Sequence, residues 1–213
     1  MFYVIIELGD NMIMDTISMN VDVKLFEYLN SNENLSENQK KILYDYLCII
    51  KSIYDKYIGN YVFDNVSELI RTLKIQEIDE TSEISYDKNS NTLMLGKLAL
   101  NHEYNTYKSL FELTSQSYDE ENHSYNSGII IKSENGTEYG KRLNDLIISK
   151  LIAYNTGYTL SDESIANNDE LVKNITDVIG SEKLVTYFAY GNGKLLFSEL
   201  FSNKNISEEK LSN

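Results

Sequence analysis

One long apolar stripe, bounded by a helix-start signal and a glycine, constrains the fold of this chain more than any other feature. Ser36 and Gln39 have the spacing of a capping box, which marks the beginning of a helix, and Gly59 marks its end. A stripe of this width has to be buried against more than one neighbouring element. We therefore predict a central helix, on which these apolar residues recur at helical spacing: Ile42, Leu43, Tyr46, Leu47, Ile50, Ile53, Tyr54 and Tyr57.

Shorter patterns place further helices and a few strands around the central helix. Apolar β-forming residues over 2–8, a turn signal and a second run over 12–19 indicate two N-terminal strands. Residues 84–86 and 92–95 flank an Asn-rich loop, which predicts a β-hairpin. We therefore expect a helix-rich α+β fold with a small hairpin or sheet. Helical spacing predicts the other helices over 21–29, 65–73, 104–116, 141–155 and 168–179, with two short helices after them. A short strand is predicted over 127–132.

Composition restricts the classes of function. The 213 residues include 33 acids and 19 bases, for a net charge of −14, and only Arg71 and Arg142 are arginines. Nucleic-acid binding requires Lys or Arg groups to neutralise phosphates, and the chain has no basic stripe, so we expect no direct nucleic-acid partner. An acidic surface instead suits a protein partner, such as one with a basic surface.

Cysteine content and hydropathy bear on location. Cys48 is the single cysteine, so no disulfide can form within the chain and a reducing compartment is expected. No run comes near the ~18 apolar residues that a membrane-spanning helix needs, so we expect no membrane partner. These observations together predict a cytoplasmic protein.

A polar, acidic segment over 76–83 separates two parts of the chain. We predict an N-terminal region over 1–79, which holds the first strands and a helical extension. A core over 80–202 follows, and the last residues, 203–213, form a frayed polar tail.

Two short motifs lie on successive predicted helices of the core. The first, on the helix over 104–116, continues into a Tyr-Asp pair, and the second opens the helix over 141–155. Their defining residues are Leu110, Phe111, Leu113, Ser115, Tyr118 and Asp119 in the first motif, and Gly140, Leu143 and Asn144 in the second.

This arrangement resembles a group of small zincin-like metallopeptidase domains from low-GC bacteria. In that group the first helix reads H-E-L-x-H-x-A-S and is followed by Y-D, and the second reads G-x-x-L-N-E-G. The resemblance covers about residues 80 to 202 and includes the hairpin before the first helix. It implies a zincin-like core in which two helices hold a metal between them.

The residues that would hold and use the metal are all replaced. In the register of the resemblance, Lys108 stands at the first histidine, Ser109 at the catalytic glutamate and Glu112 at the second histidine. Asp145 stands at the glutamate ligand on the second helix. An ammonium group repels a divalent cation, a serine cannot act as general base for a metal-bound water, and two carboxylates without imidazoles make a poor zinc site. We therefore predict no catalytic residue, no bound metal and no cofactor.

The same positions can form a binding surface. Lys108 and Glu112 are four residues apart on one predicted helix, a spacing at which an ion pair contributes about 0.2–0.5 kcal/mol. We predict that Lys108, Glu112 and Asp145 line a degenerate cleft. In this hypothesis a charge cluster replaces the metal as the link between the two helices.

Two histidines leave a metal site open as an alternative. His102 is followed by a glutamate, as in the metallopeptidase motif, but Thr106 occupies the position of the second histidine. His123 lies in a polar link. A site formed by His102, His123, Glu112 and Asp145 is the alternative to two surface histidines.

Three functions follow from these observations. The first is a pseudoenzyme, a non-catalytic protein-binding module derived from a metallopeptidase-like fold. The second is an acidic inhibitor that occupies the nucleic-acid groove of a basic partner, as phage-encoded inhibitors do; its binding would depend strongly on salt. The third is a metal hydrolase with non-standard ligands.

Overall fold

The computed structural model describes residues 22–78, 84–96, 103–120, 123–132, 136–156 and 169–202. The predicted strands over 2–8 and 12–19, His102 and the predicted tail lie outside the described residues. The helices are α1 (Val23–Asn30), α2 (Glu37–Ile58), a short 3-10 helix (Phe63–Val66), α3 (Ser67–Thr72), α4 (Glu103–Thr114), α5 (Lys141–Thr156), α6 (Asp169–Ile179), α7 (Ser181–Ala189) and α8 (Gly193–Ser202). The strands are β1 (Lys74–Ile78), β2 (Ile84–Asp87), β3 (Thr92–Gly96), β4 (Gln116–Asp119), β5 (Ser124–Ser127), β6 (Ile131–Lys132) and β7 (Glu138–Tyr139). The predicted helix-rich α+β class is confirmed.

The central helix predicted from the apolar stripe is α2. Its capping box is formed, because the Gln39 N–H donates to Ser36 Oγ at 3.3 Å and the Ser36 N–H donates to Gln39 Oε1 at 2.8 Å. Gly59 ends the helix at a φ of 86°, in the region that favours glycine. Most of the predicted stripe is buried or half-buried, but Ile42 is 47% exposed.

The first sheet contains one strand that the sequence pattern does not predict. The predicted hairpin is formed by β2 and β3, with Tyr86 opposite Leu93. β1 pairs with β3 in parallel, which places β3 between β1 and β2. β1 falls partly in the polar segment over 76–83 that we expected to be a boundary. Its residues are mostly exposed, so it lacks the apolar alternation that marks a strand in sequence.

Two further pairs of strands lie in the region of the predicted polar link and the predicted strand over 127–132. Of that predicted strand, β6 retains only Ile131–Lys132, and Ser127 belongs to β5. β4 and β5 pair antiparallel from Gln116 opposite Ser127 to Asp119 opposite Ser124. β6 and β7 form a separate two-stranded pair. The predicted helix over 65–73 is also divided, since a 3-10 turn precedes α3.

A single apolar core joins early and late parts of the chain. Tyr54 of α2, Phe111 of α4 and Phe188 of α7 are each 0% exposed. The ring centroid of Tyr54 lies 5.5 Å from that of Phe111 and 6.4 Å from that of Phe188, and the Phe111 and Phe188 centroids are also 6.4 Å apart. The helical N-terminal part and the later elements therefore share one core.

Asn65 adds polar links between the same distant parts. Its Nδ2 donates to the carbonyl oxygen of Gln116 at 2.8 Å and to that of Ala189 at 3.3 Å. Tyr61, also in this segment, donates its hydroxyl to the Thr114 carbonyl oxygen at 3.1 Å. The segment between α2 and α3 is thus tied both to the end of α4 and to the end of α7. No helix in the described ranges is long and apolar enough to cross a membrane.

Candidate functional site

The structure brings the three predicted site residues into one region, where α4 and α5 are in contact. Glu112 is half-buried on α4, and burial raises the pKa of its carboxyl. Lys108 lowers this pKa and Asp145 raises it, in that order of size, and smaller lowering effects come from Lys141 and Lys88. Glu112 therefore lies within electrostatic range of Lys108 on its own helix and of Asp145 on α5. We refer to Lys88, Lys108, Glu112, Lys141 and Asp145 as the charge cluster.

The charge cluster differs in detail from the arrangement predicted from the sequence. Within the described residues, Lys108 forms no ion pair with Glu112 or Asp145, so their interaction acts over a longer distance than direct contact. Lys88, in the loop between β2 and β3, and Lys141, the first residue of α5, were not predicted to belong to the site. Lys141 lies inside the second motif. Its position in that motif could have identified it as a residue of the site.

Ser109, at the position of the catalytic glutamate, is part of the packing rather than of an open site. It is 2% exposed, and its hydroxyl donates to the carbonyl oxygen of Ile84 at 3.3 Å. This bond fixes α4 against β2. At 2% exposure, the Ser109 hydroxyl is not accessible to a substrate in this structure.

The residues that carry the second motif also have structural roles. Asn144 is 2% exposed, and its Oδ1 accepts a hydrogen bond from the Ile129 N–H at 3.1 Å. The Asn144 N–H donates to the Gly140 carbonyl oxygen at 2.9 Å and closes the first turn of α5. Gly128 adopts a φ of 56° and packs against Asn144 and the Phe188 ring. The second motif thus joins α5 to the turn after β5.

The end of the first motif is buried in a similar way. The Ser115 carbonyl oxygen accepts a hydrogen bond from the Gly128 N–H at 2.8 Å. Gln116 follows, is 1% exposed, and has no hydrogen-bond partner for either side-chain atom among the described residues. Its amide lies near the Tyr86 hydroxyl, and that hydroxyl donates to Asn91 Oδ1 at 2.8 Å. The amide and the Tyr86 hydroxyl are close enough to interact, so the buried amide has a polar neighbour.

Tyr86 connects this amide to the charge cluster. Burial raises the pKa of Tyr86 to about 12, the proximity of Gln116 lowers it, and the negative charge of Glu112 is among the smaller effects that raise it. Tyr86 therefore lies near both Gln116 and Glu112. The polar region extends from the charge cluster to the base of β4.

The alternative histidine site finds no further support. His123 is exposed, and its Nδ1 lies 3.4 Å from the Tyr118 hydroxyl. His102 lies outside the described residues. Across the described ranges, no three His, Cys, Asp or Glu side chains are grouped so that they could hold a metal ion.

A separate groove of about 360 Å³ lies between the β4–β5 hairpin and the turn that leads into α8. Ser117, Tyr118 and Asp119 line one side, and Lys194 and Leu195 line the other. Lys194 pairs with Asp119 across it at 3.5 Å. The groove does not include Lys108, Glu112 or Asp145, so it is distinct from the predicted cleft.

Comparisons with known proteins do not assign the chain to a class. A scan against models of protein families, a search of curated proteins and a search of solved structures each found no match. The metallopeptidase resemblance therefore stays a prediction that rests on the motif residues.

Replacing Glu112 by glutamine is expected to stabilise the protein near neutral pH. Because burial raises the pKa of this carboxyl, its charged form is less favourable in the folded chain than in the unfolded chain. The cost is absent below the ordinary value of 4.5, where the group is protonated in both states, and it is complete above the raised pKa. The melting temperature of Glu112→Gln should therefore exceed that of the parent at neutral pH, and the difference should shrink as the pH falls toward 4.5.

The matched control for this prediction is Glu27→Gln, which changes an exposed carboxylate on α1. Thermal unfolding of both variants, followed by circular dichroism over a series of pH values, provides the measurement. An equal shift in the two variants, or a shift that does not depend on pH, would contradict the predicted role of burial.

Proposed function

We propose that this protein is a non-catalytic, cytoplasmic protein-binding module built on a zincin-like frame that has lost its metal ligands. The observation that carries the proposal is the set of charges around Glu112. Lys88, Lys108 and Lys141 are all in electrostatic range of the position that corresponds to the second histidine. Three ammonium groups around a prospective metal position disfavour a divalent cation. The position of the general base is also lost, because it is held by Ser109, whose side chain is buried.

Exposed apolar side chains support a role in protein binding. Tyr118 and Leu195, which line the groove, are 51% and 57% exposed, and Tyr139 of β7 is 47% exposed. Tyrosine is frequent among residues that dominate the binding energy of protein interfaces. Together with the net charge of −14, these side chains favour a protein partner over a nucleic acid.

Placing histidines at the two predicted ligand positions tests whether the fold is zincin-like and whether the missing ligands account for the lack of metal binding. The variant Lys108→His/Glu112→His places two imidazoles four residues apart on α4, and Asp145 lies on α5, which contacts α4. If the frame is zincin-like, these three groups form a site in which Asp145 adds a third ligand to the histidine pair. Isothermal titration with zinc is expected to show stoichiometric binding to the variant and none to the parent.

The matched control is Lys173→His/Asp177→His, which places the same spacing on the exposed face of α6. This pair has no predicted third ligand, so we expect the α4 site to bind zinc about tenfold more tightly or better, ~1.4 kcal/mol. Equal affinities would show that Asp145 does not complete a site and that the frame is not zincin-like. Stoichiometric zinc in the parent, with peptide hydrolysis lost in Glu112→Ala, would favour the metal hydrolase instead.

A further inference from the structure

The groove between the β4–β5 hairpin and the turn that leads into α8 is a fixed part of the fold. Its volume of about 360 Å³ is near the lower end of the range for small-ligand pockets, roughly 300–1,000 Å³. The turn lies directly against β4, because a Cβ added at Gly191 would overlap Ser117 Oγ. The Ser117 hydroxyl also donates to the Gly191 carbonyl oxygen at 3.3 Å. The groove can therefore take one long side chain between walls that are already in place.

The lining of the groove carries more negative than positive charge. Asp119 and Glu120 are its acids, and Lys194 is its cation. The Asp119 side chain is 10% exposed, and its Oδ2 accepts a hydrogen bond from Asn126 Nδ2 at 3.4 Å. This carboxylate is therefore held in position and largely shielded from water. A cation that reaches it interacts more strongly than it would with a carboxylate on an open surface.

Lys194 is a loosely held partner of this carboxylate. Its Nζ lies 3.5 Å from Asp119 Oδ2, and its side chain is 62% exposed. Close pairs of a charged nitrogen and a carboxylate oxygen lie at about 2.7–2.9 Å. Lys24, whose side chain is 58% exposed, reaches that distance from Asp64, at 2.8 Å. A cation that fits Asp119 better can therefore replace Lys194.

Apolar residues complete the lining beside these charges. Ile130 and Ile131 line the groove near β4, and Leu195 follows Lys194 in the first turn of α8. Leu195 is 57% exposed. A long cationic side chain can cover such a surface with its methylene groups while its charged end contacts a carboxylate. The groove therefore combines the two surfaces that a long basic side chain requires.

From these features we propose that the groove binds an arginine side chain of a partner protein, with its guanidinium paired to Asp119 in place of Lys194. The inference rests on the proposed protein-binding function and names the chemistry of the segment that is bound. A guanidinium donates two parallel hydrogen bonds to one carboxylate, whereas an ammonium group acts as a single point charge. The net charge of −14 also attracts a basic segment toward the protein.

Short peptides that differ at one position test the proposal. An acetylated Ala-Ala-X-Ala-Ala amide, in which X is arginine, citrulline, lysine or glutamate, is titrated into the isotope-labelled full chain at low ionic strength. Citrulline has nearly the shape of arginine but no charge. Amide shifts are followed by nuclear magnetic resonance. We expect the arginine peptide to bind most tightly and to shift the amides of Asp119, Lys194 and Leu195.

Two substitutions in the groove should change the affinity for the arginine peptide in opposite directions. Asp119→Asn removes the paired charge and should weaken binding by about tenfold or more. Lys194→Met removes the competing cation and should strengthen binding several-fold. The Lys194 side chain is exposed, so this variant tests the proposal even if Asp119→Asn disturbs the fold.

The matched controls are Asp45→Asn and Lys41→Met, which make the same changes of charge at exposed positions of α2. They alter only the overall charge of the protein, so their effect on binding should stay below about twofold. A general attraction between a basic peptide and an acidic protein would give equal effects in the controls and in the groove variants, and would overturn the inference.

Other outcomes would also overturn the inference. They are binding of the citrulline or the lysine peptide as tight as that of the arginine peptide, preferential binding of the glutamate peptide, and weaker binding of the arginine peptide to Lys194→Met. None of these outcomes bears on the proposed non-catalytic function, which fails separately if the parent binds stoichiometric zinc and hydrolyses peptides.

Discussion

Replacing Phe188 by alanine is expected to lower the free energy of unfolding by about 3–5 kcal/mol. Phe188 is 0% exposed, and its ring lies against Tyr54 and Phe111 at the centre of the core. Removal of the ring leaves a cavity between α2, α4 and α7 that the packed neighbours can fill only in part. Urea unfolding, followed by circular dichroism, measures the loss as a lower midpoint with a similar slope.

Phe201→Ala is the control for this prediction. Phe201 is also a phenylalanine near the C-terminal end of the described chain, and it stacks on Phe197, but its side chain is 48% exposed. We expect a loss of about 1 kcal/mol or less, because surface substitutions rarely cost more. Equal losses for the two variants would mean that Phe188 does not occupy the core position described above.

Replacing Gly128 by alanine is the second substitution with a large expected effect. Its φ of 56° lies in the left-handed region, which costs a residue with a Cβ about 1–2 kcal/mol. The added methyl group would also overlap Asn144 Oδ1, the atom that accepts the Ile129 N–H, and would press on the Phe188 ring. If the buried bond breaks, the loss rises by about 1–3 kcal/mol, so we expect a destabilisation of roughly 2–5 kcal/mol in urea unfolding.

Gly59→Ala separates the two contributions. Gly59 has a φ of 86°, but no heavy atom lies within 4 Å of the position that its Cβ would take. Only backbone strain is expected there, about 1–3 kcal/mol, because residues with a Cβ rarely adopt a φ of 86° with a ψ of −45°. If Gly128→Ala lowers the free energy of unfolding no more than Gly59→Ala does, the contact of the added methyl group with Asn144 does not contribute to the loss.

The parts of the fold that could be predicted are those with strong local signals. α2 has a capping box, a wide apolar stripe and a terminal glycine, and β2 and β3 flank a turn-rich loop. β1 has no such signal, because its polar residues form a strand only through parallel pairing with β3. The β4–β5 hairpin is similar, since half-exposed polar residues such as Ser117 and Asn126 give no alternation of apolar and polar positions.

The site could be predicted only in part for a related reason. Motif spacing predicted Lys108, Glu112 and Asp145 as one site, and Lys108 and Asp145 exert the two largest charge effects on the Glu112 carboxyl. Lys88 joins them only because the β2–β3 loop is carried to the same region by the fold. The burial of the Gln116 amide beside Tyr86 also depends on the fold, and no local pattern of residue types expresses it.

The bonds of Asn65 have a consequence for the order in which the chain can fold. One amide group contacts carbonyl oxygens 51 and 124 residues further along, so the segment after α2 has no complete set of partners until α7 has been synthesised. Contacts of such wide sequence separation slow folding. During synthesis, α4 can cover part of the apolar face of α2 first, but the part that packs against Phe188 stays exposed until α7 emerges. Apolar surface that is exposed in this way promotes aggregation.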